Sequence, residues 1–229
     1  MLAENLKNVS DTIQAALAKR TEKKETGDTV CLVAVTKNHP ATVIPEIQSL
    51  GVGNVGENRV QEAREKQEQI GHPGKWHLIG HLQTNKVKTV LGKAVLIHSL
   101  DSLKLLDTVD FESRKQGLVT EGLLEVNVAE EESKFGFLPS ELPGLMPRLA
   151  QYRNLKIRGL MTVAPLVENA EENRDVFRRL CQLSIDIKSK NIDNVSMNVL
   201  SMGMTGDFEV AVEEGATIVR VGTAIFGAR

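Results

Sequence analysis

Residues 30–35 read Val-Cys-Leu-Val-Ala-Val, an apolar run with no polar residue on either of its alternate faces. A strand that is wetted on one face alternates apolar and polar residues, whereas a strand of a parallel sheet is covered on both faces and stays apolar throughout. The run is therefore typical of a buried parallel strand. It ends at Thr36 and Lys37, where the chain becomes polar.

Seven more short apolar runs follow the first, and longer segments separate them. The predicted strands cover residues 30–35, 52–56, 76–79, 95–98, 122–126, 157–161, 195–200 and 217–221. Helical periodicity marks residues 3–20, 59–70, 138–151 and 172–189. Pro147 predicts that the third of these helices is broken or begins late. Eight strands alternating with helices predict an α/β fold, a closed (β/α)8 TIM barrel, with an open doubly wound sheet as the alternative.

The length and composition narrow the class of protein. The 229 residues suit a single barrel domain over 1–229, with an extra N-terminal helix and loop in 1–27 and the barrel in 28–229. A net charge of −2 and an aromatic content of 3% argue against nucleic acid or a membrane surface as a partner. We find no leader peptide, no apolar stretch of about 18 residues and no disulfide framework, so we expect a cytoplasmic protein.

The predicted strands end in polar residues, and Lys37 is the most informative of them. In a barrel of this kind the chemistry lies where the strands run into the following loops. A partly buried lysine amine is less protonated than one in water, and it can attack a carbonyl to form a Schiff base. The alternative is a lysine whose stem packs along the rim while its ammonium pairs with a carboxylate.

Two glycine-containing loops follow the seventh and eighth predicted strands. They are 201–206, Ser-Met-Gly-Met-Thr-Gly, with a helix start at Asp207, and 222–224, Gly-Thr-Ala, after Arg220. Backbone N–H groups in such loops converge on anions, and a phosphate site after strands seven and eight recurs in these barrels. A lysine and a phosphate site in one mouth fit pyridoxal 5′-phosphate (PLP), and they also fit a phosphosugar held by a Schiff-base aldolase.

Six motifs, in order along the chain, resemble those of the pyridoxal phosphate homeostasis proteins. They cover residues 33–37, 56–62, 76–86, 157–161, 200–204 and 219–227, and the resemblance extends from about residue 4 to the C-terminus. It implies a fold like the N-terminal barrel of alanine racemase. The family often has Ser-Asp or Asn-Asp after Ser-Met-Gly-Met, whereas Thr205-Gly206-Asp207 follows here, so residue 206 offers no side chain.

The same resemblance implies a set of cofactor-binding residues. They are Lys37, Asn58, His81, Met161, Ser201, Met202, Gly203, Arg220, Gly222 and Thr223. Lys37 would form the Schiff base with PLP, while Ser201, Gly222 and Thr223 would hold the phosphate near the backbone N–H groups of Met202 and Gly203. Asn58 and Met161 would line the ring pocket, with His81 at its mouth. Arg220 would approach the phosphate or the pyridine nitrogen, and at the nitrogen it would leave the ring a weak electron sink, because guanidinium is a donor only.

A carrier of PLP is the preferred function, and a PLP-dependent racemase of narrow substrate range is the alternative. Racemisation needs an acid/base group on each face of the substrate, which alanine racemases supply with a lysine and a tyrosine of a second domain. The one tyrosine here, Tyr152, precedes the sixth strand and is expected at the barrel bottom. We therefore expect a monomeric protein, without strong catalysis, that carries, buffers or delivers PLP, with apo PLP-dependent enzymes as recipients. No metal site is expected at His77 and His81, because no acidic or cysteine cluster accompanies them.

Overall fold

Eight parallel strands close into a barrel in the order in which they occur in the chain, and the first pairs with the eighth. The computed structural model describes residues 1–20, 27–71 and 74–227. The strands β1 to β8 are Cys31–Val35, Asn54–Glu57, Lys75–Leu78, Leu96–Leu100, Thr120–Glu125, Leu155–Met161, Val195–Ser201 and Ile218–Val221. The predicted closed barrel is confirmed, and the open sheet is wrong, because the β1–β8 pairing leaves no free edge.

Helices fill the connections between the strands. The α-helices α1 to α9 are Leu2–Ala18, Val43–Ser49, Val60–Ile70, Val87–Val90, Leu103–Lys115, Leu142–Leu149, Arg174–Lys188, Phe208–Glu213 and Thr223–Phe226. Short 3-10 turns occupy Thr84–Lys86, Pro139–Glu141 and Ala170–Asn173. The predicted late start of the helix in 138–151 is seen in α6, which begins at Leu142 and continues through Pro147 at the cost of one helical hydrogen bond.

The N-terminal helix α1 buries one apolar face against α8 and α9. The buried residues recur at three- and four-residue steps, as the helical period requires: Leu6, Val9, Ile13 and Ala16. Beyond the helix end, the Arg20 guanidinium donates hydrogen bonds to the carbonyl oxygens of Val212 and Ala216, at 2.5 and 2.6 Å. The extra helix is thereby anchored beside the two elements that flank β8.

Tyr152 lies three residues before the start of β6, at the opposite end of the strands from the loops that carry the candidate site. It is buried, and its hydroxyl donates a hydrogen bond to Asp107 Oδ1 at 2.8 Å. Burial and this carboxylate both raise the pKa of the phenol, so Tyr152 remains a neutral structural donor.

A search of residues 1–20, 27–71 and 74–227 finds no helix that combines the length and the apolar character needed to cross a bilayer.

Candidate functional site

A cavity of about 440 Å³ opens at the carboxyl ends of the strands. Loops that follow β1, β2, β6, β7 and β8 form its wall. Five predicted site residues line it: Lys37, Asn58, Arg220, Gly222 and Thr223. Lys37 lines the cavity from the loop that begins two residues earlier, at the end of β1, and the buried residues of β1 fix the position of that loop in the barrel.

Asn58, which follows β2 directly, presents an unsatisfied acceptor. Its side-chain oxygen Oδ1 is buried and has no hydrogen-bond partner among the described residues. The backbone of Asn58 is tightly packed, since a Cβ on Gly80 would lie 2.5 Å from the Asn58 carbonyl oxygen. Buried polar groups in folded proteins are almost always paired. An orphan acceptor on a fixed residue in a cavity wall therefore suits a ligand that brings a donor.

The loops that follow β7 and β8 bring backbone N–H groups to the wall of the cavity. Asp207 Oδ1 accepts a hydrogen bond from the Met204 N–H at 2.7 Å, which closes the loop after β7. Thr205 Oγ1 accepts from the N–H groups of Gly222 and Ala224, each at 3.4 Å. Contacts of that length are weak, so these N–H groups can exchange the hydroxyl for an anion at little cost.

Ser201, Met202 and Gly203 do not line the cavity. Met202 is fully buried in the main core, and Ser201 Oγ lies inside the barrel. Gly203 has a φ of +93°, and a Cβ there would lie 2.6 Å from the Cβ of Ala211, so only glycine fits between the loop and α8. The Gly203 carbonyl accepts the backbone N–H of Arg220 at 3.0 Å, which ties this loop to β8.

Met161 and His81 also lie outside the cavity lining. Met161 is buried in a small cluster inside the barrel, and Val163, which does line the cavity, packs on the same cluster. The His81 imidazole is partly exposed, with Nδ1 2.7 Å from Asp101 Oδ2 and its ring stacked on Phe135 at a centroid distance of 4.1 Å. The structure thus places His81 beside the opening, with a carboxylate partner.

Arg220 belongs to a chain of hydrogen bonds that runs through the barrel interior. Its Nη1 donates to Ser201 Oγ at 2.6 Å and its Nη2 donates to the Thr162 carbonyl at 2.8 Å. Ser201 Oγ is 2.8 Å from His98 Nδ1, and His98 Nε2 is 2.9 Å from His77 Nδ1. His77 Nε2 ends the chain 3.1 Å from the Oδ1 atom of Asn54.

The donors in this chain can be assigned from its two ends. Arginine only donates, and the Asn54 Oδ1 atom only accepts. His77 therefore carries its proton on Nε2, His98 carries its proton on Nε2, and the Ser201 hydroxyl donates to His98. Burial lowers the pKa of His77 to about 4 and the pKa of His98 well below its ordinary value, so both rings are neutral at pH 7.

Burial also acts on the two charged groups near the mouth. It lowers the pKa of Arg220 to about 10, which leaves the guanidinium charged at neutral pH. Burial, together with the Asp101 carboxylate, raises the pKa of Glu125 at the end of β5 to about 7, against the attraction of Arg220. Glu125 is consequently half-protonated near neutral pH, close to a permanent cation.

The comparisons with known proteins identify the family of this chain. A family model described as the N-terminal domain of alanine racemase matches residues 11–229. The pyridoxal phosphate homeostasis protein of Aquifex aeolicus is 44% identical over 228 residues, which cover 99% of this chain and 97% of that protein. The chain belongs to the family of pyridoxal phosphate homeostasis proteins. A second member, from Pseudomonas aeruginosa, is 39% identical over 231 residues, which cover 100% of this chain and 96% of that protein.

Solved structures of other proteins share the fold of this chain. PipY of Synechococcus elongatus without PLP superposes with a TM-score of 0.87 at 34% identity, covering 99% of this chain and 100% of that one. A structure of PipY with PLP bound has a TM-score of 0.84. An alanine racemase of Clostridium difficile has a TM-score of 0.72 at 13% identity, which shows the shared barrel alone. This chain covers only 56% of that racemase.

Several residues of this homeostasis-family site are not among the sequence predictions. Thr205 and Asn173 line the cavity, as does the loop 163–167 after β6. Glu125 and the His77–His98 pair, which do not line the cavity, are also absent from the predicted set. The sequence did carry a signal for Glu125. It ends the otherwise apolar stretch Gly-Leu-Leu-Glu, and a charged residue in a buried strand usually has a specific partner or role.

Proposed function

We propose that this chain binds PLP in the mouth cavity and takes part in PLP homeostasis by carrying, buffering and delivering the cofactor. The observation that carries the proposal is one cavity holding both a strand-end lysine and two loops with loosely satisfied N–H groups. When bound, PLP supplies an aldehyde that condenses with a primary amine with loss of water, and a phosphate that needs donors. The PLP-bound structure of PipY supports the same reading.

The residues present fit this cofactor. Lys37 would be the covalent attachment site, and the N–H groups of Gly222, Thr223 and Ala224 would hold the phosphate, with Thr205 beside them. The orphan acceptor of Asn58 would receive a donor from the ring substituents or from the protonated nitrogen of the attachment. Lys37 and the loops together favour a ligand that carries both a carbonyl and an anion.

Other predicted residues would act from behind the cavity wall. Ser201 would position the Arg220 guanidinium, and Gly203 would hold the phosphate loop against α8. Met202 and Met161 would support the two loops from the core, and His81 would stand at the entrance with Asp101. Arg220 also lines the cavity, so its guanidinium, held by two hydrogen bonds inside the barrel, would reach the cofactor from below.

We further propose that the protein does not catalyse racemisation strongly. Tyr152, the one tyrosine of the chain, is buried at the far end of the barrel, so it cannot reach a substrate in the mouth. The expected setting is the cytoplasm, the expected state is a monomer, and the expected recipients are apo PLP-dependent enzymes.

Reduction of the loaded protein tests the binding proposal. Purified protein incubated with PLP and then with borohydride should gain one pyridoxyl group, and peptide mass analysis should place it on Lys37. Lys37→Ala should lose the adduct, whereas Lys86→Ala, at an exposed lysine within a family motif, should keep it. An adduct that survives in Lys37→Ala would overturn the assignment.

Two further measurements test the carrier role. Protein loaded with PLP should activate an apo-enzyme at a rate different from that of the same concentration of free PLP. A panel of L-amino acids followed by chiral analysis should show no D-enantiomer beyond the PLP background. Robust D-amino-acid formation that disappears in Lys37→Ala would replace the carrier role with the racemase alternative.

A further inference from the structure

A buried ion cluster joins helix α3 to the end of β1. Lys66, on α3, has its Nζ 2.6 Å from the Thr36 carbonyl oxygen, 2.6 Å from Glu57 Oε1 and 2.8 Å from Glu62 Oε1. An ammonium has three N–H groups, and the three acceptors engage all of them. The side chain of Lys66 is 6% exposed and that of Glu57 is fully buried, so solvent screens these contacts little.

The cluster forms hydrogen bonds with the peptide groups on both sides of Lys37. On one side the Thr36 carbonyl accepts from Lys66, and the Thr36 hydroxyl donates to Glu57 Oε1 at 2.5 Å. On the other side the backbone N–H of Asn38 donates to Glu62 Oε1 at 2.5 Å. Asn38 has a φ of +62°, in the left-handed region that asparagine adopts more readily than most other non-glycine residues, so the chain turns directly after Lys37.

Stability alone does not explain this cluster. Burying charges costs desolvation energy, and an apolar substitute of similar volume often serves a core as well or better. The cluster is also imperfectly satisfied: Glu57 Oε2 is buried without a partner among the described residues. Burial accordingly raises the pKa of Glu57 in spite of Lys66 and Thr36. What the cluster does provide is a fixed backbone position at the end of β1.

We propose that Lys66 is a positioning residue for Lys37. By holding the Thr36 carbonyl and, through Glu62, the Asn38 N–H, it fixes the backbone from which the Lys37 amine enters the cavity. The role of the amine rests on the proposed function, but the restraint on Lys37 exists with or without PLP. Misplacing a reacting group by about 1 Å can slow a reaction by about 100-fold, so a loosened Lys37 should react measurably more slowly.

A reagent other than PLP tests the restraint directly. The apoprotein is treated with 4-formylbenzoate and cyanoborohydride, and the rate of labelling at Lys37 is measured by peptide mass analysis. The variants are Lys66→Met and Lys66→Met/Glu57→Gln, the second of which removes the carboxylate charge that Lys66 would otherwise leave uncompensated. Lys86→Ala is the matched control, because it removes an exposed lysine that contacts none of these residues.

We expect the double variant to recover most of the stability lost in Lys66→Met, as measured by urea unfolding. Labelling of Lys37 should nevertheless stay about 10-fold or more below wild type, and the Asn38 amide should exchange its hydrogen faster. If labelling and exchange recover together with stability, Lys66 is merely a structural residue and the proposal is wrong. A wild-type protein that labels normally but gains no PLP adduct would instead overturn the proposed function and leave the restraint supported.

Discussion

Protonation of His77 is the perturbation that the structure predicts most quantitatively. The ring is buried in the barrel between His98 and Asn54, with both of its nitrogens already engaged as one donor and one acceptor. A second proton would have to displace the hydrogen bond from His98. Burial lowers the pKa of His77 from 6.5 to about 4, so the folded protein resists a proton that the unfolded chain takes up readily.

The magnitude follows from the two pKa values. Because the folded pKa is the lower one, stability is fully present above about pH 6.5 and is lost as the pH falls towards 4. The full shift corresponds to about 3 kcal/mol, and about 2 kcal/mol of it falls between pH 7 and pH 5. His98, whose pKa is also lowered by burial, contributes with the same sign.

Glu125 opposes this change. Its pKa is raised to about 7 in the folded protein, so its stabilising contribution is present at low pH and is lost as the pH rises from about 4.5 through 7. Acidification from pH 7 to pH 5 should therefore return about 2 kcal/mol through Glu125. The loss through His77 and the gain through Glu125 are of similar size, and the loss through His98 adds to the first, so only a comparison between variants separates these contributions.

His77→Gln and Glu125→Gln make that comparison. Glutamine at 77 can accept from His98 and donate to Asn54, as the neutral ring does, but it cannot be protonated. Urea unfolding of the apoprotein, followed by circular dichroism at pH 5, 6 and 7, measures each free energy of unfolding, with the fluorescence of the buried Trp76 as a second probe.

From pH 5 to pH 7 the stability of wild type relative to His77→Gln should rise by about 2 kcal/mol, and relative to Glu125→Gln it should fall by about as much. Parallel pH curves for wild type and His77→Gln would refute the reasoning about the neutral histidine pair.

Two other substitutions test residues on either side of the site. Gly203→Ala should lower the free energy of unfolding by about 2 to 4 kcal/mol in urea titrations, because its Cβ would clash with Ala211 and Phe208 and its φ is +93°; wild-type stability would contradict the tight packing of this loop. Tyr152→Phe removes the hydrogen bond to Asp107 and should cost about 1 kcal/mol while PLP absorbance stays unchanged; a lost PLP spectrum would show that Tyr152 has a role beyond structure.

The barrel and the position of Lys37 could be predicted because both depend on local sequence. A run such as 30–35 is apolar at every position only if both of its faces are covered, and seven further short runs rich in apolar residues mark the other strands. The strand ends agree with the prediction within two residues throughout. Lys37, Asn58 and Thr223 each follow a strand closely, so a correct strand end also places them at the mouth.

The contact between Ser201 and His98 could not be predicted from local sequence. Alternation along a strand shows that a side chain points into the barrel, but it does not show which residues of distant strands meet there. Ser201 and His98 are 103 residues apart, and their contact depends on the stagger of the strands. The prediction that Ser201 holds a phosphate rested on its place in a motif, whereas the structure shows its hydroxyl engaged inside the barrel.

The polar side chains inside the barrel can be explained by one charged residue at the base of the cavity, Arg220. Barrels of this kind are filled by layers of branched apolar side chains, and a buried guanidinium at the base of a cavity breaks that rule. Arg220 needs acceptors beneath it, and Ser201 provides one. Once Ser201 is buried its proton needs an acceptor, which His98 supplies, and His98 in turn needs His77. The chain of hydrogen bonds ends at Asn54, a half-buried residue at the start of β2. The two histidines are thus explained by the support that the hydrogen-bond chain gives to Arg220.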